Sequence, residues 1–327
     1  MTVFVYDRGV PPIPLTLAHS PDPDDVFMWW PLTGKIAPDG SRIPGEAGKP
    51  ALDCGRFEFR AMPEDIAVLN RRAVERGDLE ITALSVRTWA DVRRRYAVTA
   101  CGASFGDGFG PKVVRRQGDS RFDSIVKVAN SEALVAIPGK GTTAFMMMNL
   151  VLGVTPSASR LRFVEMPFEK IIGAVARGEA DLGLVIHEGQ LTFGDAGLVL
   201  CFDVGEWWKR ETGGLLPLGV NAVRRDLDSV HGPGTLAEVS RLLRASVKHS
   251  MDRWDESVAY TMPFAQANVD RGGGQSPTLE RVNRYCRMYV SRDTLDMGES
   301  GRQGIERLLQ RAAALGLAPE VAGVDLL

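Results

Sequence analysis

Apolar residues recur along this chain in two rhythms. Short apolar or alternating runs of five to seven residues read as strands, and apolar positions three and four apart read as helix faces. Leu15-Thr16-Leu17-Ala18-His19 is the first strand. Ser20-Pro21-Asp22-Pro23-Asp24-Asp25 then carries the signals of a helix start: Ser or Asp as cap, proline in the first turn, acidic residues beside it. The helix it opens begins near Val26-Phe27-Met28-Trp29-Trp30. Residues Gly34 to Gly55 are rich in Gly and Pro and lack periodicity, which predicts an irregular surface excursion or an extended hairpin.

Two later stretches repeat one pattern. Phe57–Pro63 and Arg162–Pro167 read as strands that end in Met-Pro. Each leads to an amphipathic helix closed by Arg-Gly, at Arg76-Gly77 and Arg177-Gly178. Ile66, Leu69, Ala73 and Val74 fall at helical spacing in the first, and Ile171, Ala174, Val175 and Gly178 in the second. Each helix is followed by a further strand, Leu79–Ser85 and Ala180–Ile186. Strand-helix-strand units imply parallel sheets with right-handed crossovers. Two such units far apart predict two similar lobes, lobe 1 from residues 1–115 and 220–327 and lobe 2 from residues 116–219. Beyond the return to lobe 1, Leu236–Ser257 and Ile305–Leu315 read as helices, with an extended segment over Tyr285–Asp296.

His187 stands where the second repeated unit leaves its sheet, followed by Glu188-Gly189-Gln190. In open α/β sheets ligands bind at the carboxyl edge of the strands. Imidazole suits proton transfer near neutral pH, and the chain has four histidines. A histidine here is either a base or a satisfied structural group, and a backbone carbonyl rather than Glu188 is its expected partner. Ser85 falls within one residue of the equivalent place in the first unit, so it either faces the same cleft or merely starts a turn. Leu134-Val135-Ala136-Ile137 runs into Pro138-Gly139-Lys140-Gly141-Thr142-Thr143-Ala144, a glycine-bearing loop that opens a helix. Its free amides and dipole make an anion site, although the P-loop spacing is absent; plain capping by threonine is the alternative. The Met146-Met147-Met148 run reads as core filling. Gly108 and Gly110 permit a tight turn or close approach to a ligand.

Composition narrows the partners. The 327 residues carry 24% charged and 44% hydrophobic side chains and a formal net charge of −2. That argues against nucleic acid and against an anionic membrane surface. The Arg93-Arg94-Arg95 and Arg115-Arg116 clusters read as solvated faces. Cys54, Cys101, Cys201 and Cys286 form no CxxC pair and have no histidine at zinc-ligand spacing, so neither a disulfide framework nor a metal site is expected. Met1–Arg8 lacks the pattern of a signal peptide, no stretch approaches the ~20 apolar residues needed to span a bilayer, and a cytoplasmic protein is the expectation. Oligomeric state cannot be read from the pattern.

Six motifs then coincide in order: Ser20-Pro21-Asp22-Pro23-Asp24-Asp25-Val26-Phe27, Gly108-Phe109-Gly110-Pro111, Thr142-Thr143-Ala144, Ile186-His187-Glu188-Gly189-Gln190-Leu191-Thr192-Phe193, Gly205-Glu206-Trp207-Trp208 and Pro217-Leu218-Gly219-Val220. Together, from about Leu15 to Ile305, they resemble the 1,4-dihydroxy-6-naphthoate synthase family of the futalosine route to menaquinone. The Gly34–Gly55 excursion is longer than expected for that family, and Asp24-Asp25 stands where some members carry Asn-Asp. The resemblance implies an α/β, type II periplasmic-binding-protein-like fold with a ligand cleft between two lobes. It implies a carbon-carbon lyase that takes the small carboxylate cyclic dehypoxanthine futalosine to the naphthoate and dihydroxyacetone without metal or organic cofactor. It matches His187 to the proposed base, Ser85 and Thr143 to polar cleft contacts and Ala144 to a backbone contact. Ser20, Thr142 and Gly110 complete the expected substrate-binding set. A chorismate dehydratase on the same architecture and a non-catalytic solute-binding protein are the competing readings.

Overall fold

A computed structural model describes residues 11–327; the reading of Met1–Arg8 lies outside them. The described chain begins in one sheet with β1 (Ile13–His19), β2 (Phe57–Pro63), β3 (Ile81–Ser85), β4 (Tyr96–Val98) and β5 (Ser104–Gly106). It crosses to a second sheet of β6 (Lys112–Arg116), β7 (Leu134–Ile137), β8 (Arg162–Glu165), β9 (Leu182–Val185) and β10 (Leu198–Asp203). It returns to the first as β11 (Leu216–Arg224).

The two sheets share a plan. In the first, β2, β1 and β3 lie side by side in parallel, and antiparallel β11 follows β3. In the second, β8, β7 and β9 lie side by side in parallel, and antiparallel β6 follows β9. The repeated unit seen in the pattern is therefore real, with one addition: β1 and β7 insert between its two strands. All four parallel strands that matter here, β1, β3, β7 and β9, point their carboxyl ends toward loops that open helices or turns.

The crossings fall earlier than the boundaries expected at 115/116 and 219/220, which lie within or against strands. β6 pairs along its length with β9 and β10, so Lys112–Arg116 belongs to the second sheet. β11 pairs with β3, β4 and β5 from Leu216 onward, so it belongs to the first. Ladder hydrogen bonds, not local propensity, decide each assignment.

Each sheet buries its apolar face under helices. Leu15, Leu17, Phe57 and Phe59 pack against Phe27, Met28 and Trp29 of the helix Pro23–Thr33 and Val239, Leu242 and Leu243 of the helix Thr235–Asp252. In the second sheet Val114 and Ala136 pack against Ile171 and Val175 of the helix Phe168–Ala176. A third cluster joins the lobes: Trp89, Val135, Met147, Leu184, Trp208 and Leu216 lie in one continuous core. Full burial of such side chains is worth roughly 1.5–3 kcal/mol each, so the lobes are fused at one end rather than tethered. Met146, Met147 and Met148 are all buried there.

The carboxyl-terminal third departs from expectation. Helices span Trp254–Gly272 and Leu279–Tyr289, and a short one spans Arg292–Leu295, where Tyr285–Asp296 was expected to be extended. Tyrosine and valine favour strands locally. Here Val282, Tyr285, Cys286 and Tyr289 recur at helical spacing and are all buried on one face. Thr278 caps the helix by accepting from Arg281 N at 3.2 Å. Packing overrides propensity. The helix expected over Leu236–Ser257 is in fact two, broken at Arg253, whose φ of −116° and ψ of 49° leave the helical region.

The crossings themselves are crowded. A Cβ on Gly205 would stand 2.0 Å from the carbonyl carbon and oxygen of Phe109 and 2.5 Å from Gly110 N. Two glycine motifs thus let the outgoing and returning chains touch. Gly205→Ala should lower stability by about 1–3 kcal/mol, the usual cost of overpacking, in reversible denaturant unfolding; an unchanged midpoint would show that the backbone contact is dispensable.

Candidate active site

Four strand ends converge on one pocket. β1 delivers Ser20, Asp24 and Asp25; β3 delivers Ser85; β7 delivers Thr142, Thr143 and Ala144; β9 delivers Ile186, His187 and Gln190. Tyr285 and Tyr289 close it from the helix Leu279–Tyr289, and Asn221 from β11. The cavity volume is about 100 Å³, and it lies between the two sheets.

His187 takes φ of 54°, the only non-glycine residue with positive φ among the described residues. That region disfavours a side chain and persists where the surroundings hold it. Gln190 N donates to the His187 carbonyl at 3.1 Å as the short helix Gly189–Thr192 begins. Phe168 meets the imidazole edge-on at 4.6 Å between ring centres. The partner of the imidazole is neither a backbone carbonyl nor Glu188. Nδ1 lies 3.0 Å from Oδ2 of Asp22, whose side chain has no exposed surface, while 18% of the His187 side chain remains exposed. Nε2 has no protein partner. Glu188 turns away into a neighbouring cavity with Phe168, Ile172 and Arg281.

Asp22 occupies the cap position of the helix Pro23–Thr33, yet its carboxylate makes no capping bond. Other groups order that turn: Asp22 N donates to Ser20 Oγ at 3.3 Å, and Ser20 N to Asp25 Oδ2 at 2.9 Å. His19 Nδ1 donates to the Ser20 carbonyl at 2.7 Å. Burial lowers the His19 pKa to about 4, so it stays neutral.

The remaining expected residues divide by what their polar atoms already do. Thr142 is the cap of the helix Thr143–Leu152: its hydroxyl accepts from Phe145 N at 3.2 Å and donates to the Gly139 carbonyl at 2.7 Å. Thr143 Oγ1 donates to the Leu218 carbonyl at 2.7 Å and accepts from Arg87 N at 3.3 Å. Both hydroxyls are spent on the protein. The first-turn amides of Thr143 and Ala144 have no acceptor within the helix. Ser85 Oγ accepts from Asn70 Nδ2 at 2.9 Å, which leaves its own proton to donate. Gly110 does not line the pocket; it abuts Gly205 and Leu216, and Pro111 lines the wall instead.

Several groups went unread in the sequence. Asp24 accepts from Tyr285 Oη and from Ser104 Oγ, both at 3.2 Å. Tyr289 Oη donates to Gln190 Oε1 at 2.9 Å, lobe to lobe. The tyrosines were findable, because Val282, Tyr285, Cys286 and Tyr289 carry the helical period. Asp22 was not, because a cap and an ion-pair partner look alike in sequence.

The acidic groups at the pocket are buried, and their proton affinities move accordingly. Burial first, and Asp22 second, push Asp24 and Glu188 above the usual carboxylate range. Burial and then Asp24 do the same to Asp25. For His187, burial is the largest influence and lowers the pKa, but Asp22, Asp24 and Glu188 together outweigh it and raise it to about 9. With a pKa of about 9, the imidazole at neutral pH is an imidazolium against Asp22. Among the described residues no group of three or more His, Cys, Asp or Glu side chains is arranged to hold a metal ion.

Two lobes of common topology, fused at one end and enclosing a pocket at their strand ends, define the periplasmic-binding-protein-like class. The ligand-binding component of an ABC-type import system from Staphylococcus aureus shares this fold at a TM-score of 0.62, with 12% identity over 96% of this chain and 97% of that one. A protein of known crystal structure from Archaeoglobus fulgidus is much more similar, with a TM-score of 0.74 and 33% identity over 93% of this chain and 98% of that one. The family model described as menaquinone biosynthesis matches residues 15–314. The 1,4-dihydroxy-6-naphthoate synthase of Thermus thermophilus is 34% identical over 93% of this chain and 96% of its own length. That of Streptomyces coelicolor is 34% identical over 96% and 97%. The chain belongs to this menaquinone biosynthesis family. No helix of the described residues is long and apolar enough to cross a membrane.

Because Tyr289 Oη and Gln190 Oε1 bridge the lobes, Tyr289→Phe should cost about 1 kcal/mol of stability, the net worth of one such bond, by denaturant unfolding. A loss below the error of the measurement would mean that this bridge does not hold the lobes together.

Proposed function

We propose that this chain is a carbon-carbon lyase that converts cyclic dehypoxanthine futalosine to 1,4-dihydroxy-6-naphthoate and dihydroxyacetone. The observation that carries the proposal is the unpartnered Nε2 of His187 in a pocket that also presents, from the neighbouring strand of the same sheet, a helix start with open amides. The relatives' printed names support the product.

The chemistry needs one base, one carboxylate anchor and little water, because aromatisation supplies much of the driving force. His187 Nε2 takes the proton in its neutral form. The amides of Thr143 and Ala144, with the helix dipole behind them, receive the substrate carboxylate. The Thr142 and Thr143 hydroxyls shape that turn rather than bind. Ser85, with a hydroxyl proton to give, and Ser20 serve the substrate's oxygens. A cytoplasmic setting is part of the proposal, and the four free thiols support it.

The solute-binding proteins share only the fold, and the family match favours the synthase over them and over a chorismate dehydratase. Incubation with cyclic dehypoxanthine futalosine and detection of the naphthoate separates the three readings; substrate bound but unchanged would favour a binding protein. His187→Asn should lower kcat by roughly 10²–10⁴ with KM little changed, and near-wild-type kcat would remove His187 from the role of base.

The pH dependence has a definite sign. A base with a pKa of about 9 is neutral only above that value. kcat/KM should therefore climb about tenfold per pH unit below 9, since it reports the free enzyme. A profile flat from pH 6 to 9 would contradict the assignment.

A further inference from the structure

We infer that Asp22 is a positioning residue for His187, holding one proton on Nδ1 so that Nε2 is the nitrogen that works. The inference rests on the proposed role of His187 as base.

Three observations on the geometry support it. Asp22 Oδ2 is 3.0 Å from Nδ1, on the opposite lobe from the histidine. Beyond this contact no donor meets either Asp22 oxygen, although the side chain is fully buried. A buried carboxylate that neither caps its helix nor pairs elsewhere is costly, so a single neighbouring cation explains its position. Finally, Nε2 is left without a protein partner. A carboxylate accepts only, so it selects the tautomer with hydrogen on Nδ1 and leaves the Nε2 lone pair for substrate.

Other charged groups face the same imidazole. Asp24 lies on the helix after β1, Asp65 caps the helix Ile66–Glu75 and Glu188 follows in the chain, while Glu169 on the helix Phe168–Ala176 acts on Asp65. Glu169 is occupied by Arg271 at 3.3 Å and Asp24 by Tyr285 and Ser104. Asp65 is occupied by Ala67 N at 2.7 Å. Of these charged groups, only Asp22 forms an ion pair with the ring.

The test compares Asp22→Asn with His187→Asn. In Asp22→Asn the acid limb of kcat/KM should move down by about one to three pH units, the span an adjacent opposite charge sets. Its plateau should fall at least about tenfold, as when a triad aspartate is lost. A role confined to folding would lower the plateau without moving the limb. An unmoved limb in Asp22→Asn beside a strongly impaired His187→Asn overturns this inference and leaves the base assignment standing. An active His187→Asn overturns the base assignment instead. Should Asp22→Asn fail to fold, ¹⁵N NMR of the imidazoles in the intact wild-type protein decides. The inference expects His187 to lose its Nε2 proton and keep the one on Nδ1, with titration well above the ordinary value near 6.5. A histidine protonated on Nε2, or one titrating at or below 6.5, overturns it.

Discussion

A buried carboxylate on one lobe meets an imidazole on the other, and the site is arranged around that pair. Asp22 is withdrawn from water at the start of a helix, and only His187 is placed to neutralise it. Desolvating an unpaired carboxylate costs several kcal/mol, so the lobes gain by keeping the pair together. His187 meets Asp22 from a backbone conformation that side chains avoid. Strain and buried charge then sit together, and together they leave Nε2 open. Glu188, next in sequence, points into a different cavity.

The frame that makes the meeting possible is a duplicated sheet plan. In each lobe a central strand and its neighbour end at the interface, so two helix starts and two strand ends arrive at the same place. The antiparallel strands β6 and β11 sit beside β9 and β3 as the chain crosses and returns. Gly219 pairs with Ser85, so the returning strand fixes the height of that serine in the pocket. A continuous core around Trp89, Met147 and Trp208 fuses the lobes at one end. The opposite side carries polar links, Arg281 to Asp195 and Arg271 to Glu169, both at 3.3 Å.

Much of this was legible in the chain before its structure. The repeated strand-helix-strand pattern with its Met-Pro and Arg-Gly marks predicted two alike lobes, because apolar periodicity records which face is buried. Ser20, Ser85, Thr142, Thr143, Ala144 and His187 all reach one pocket. What the pattern missed has physical causes. Domain boundaries drawn inside β6 and inside β11 differ from the sheet crossings because sheet membership is set by long-range ladders. Tyr285 and Tyr289 were missed because residue types that favour strands outweighed their helical period. The threonine hydroxyls looked free but are satisfied by the Gly139 and Leu218 carbonyls. Gly110 looked like a ligand contact but makes room for Gly205. Asp22 carried the least signal, since nothing local distinguishes a carboxylate that caps a helix from one that crosses a cleft.

The central claim is geometric: a carboxylate-bearing substrate is held at the helix start of the second lobe with its reacting carbon against His187. The most direct measurement is a crystal structure of this protein with 1,4-dihydroxy-6-naphthoate bound. The account predicts the product carboxylate within hydrogen-bond reach of the Thr143 and Ala144 amides, with the ring beside His187 Nε2. A product seated with its carboxylate elsewhere, or in the cavity lined by Glu188 and Arg281, would contradict it.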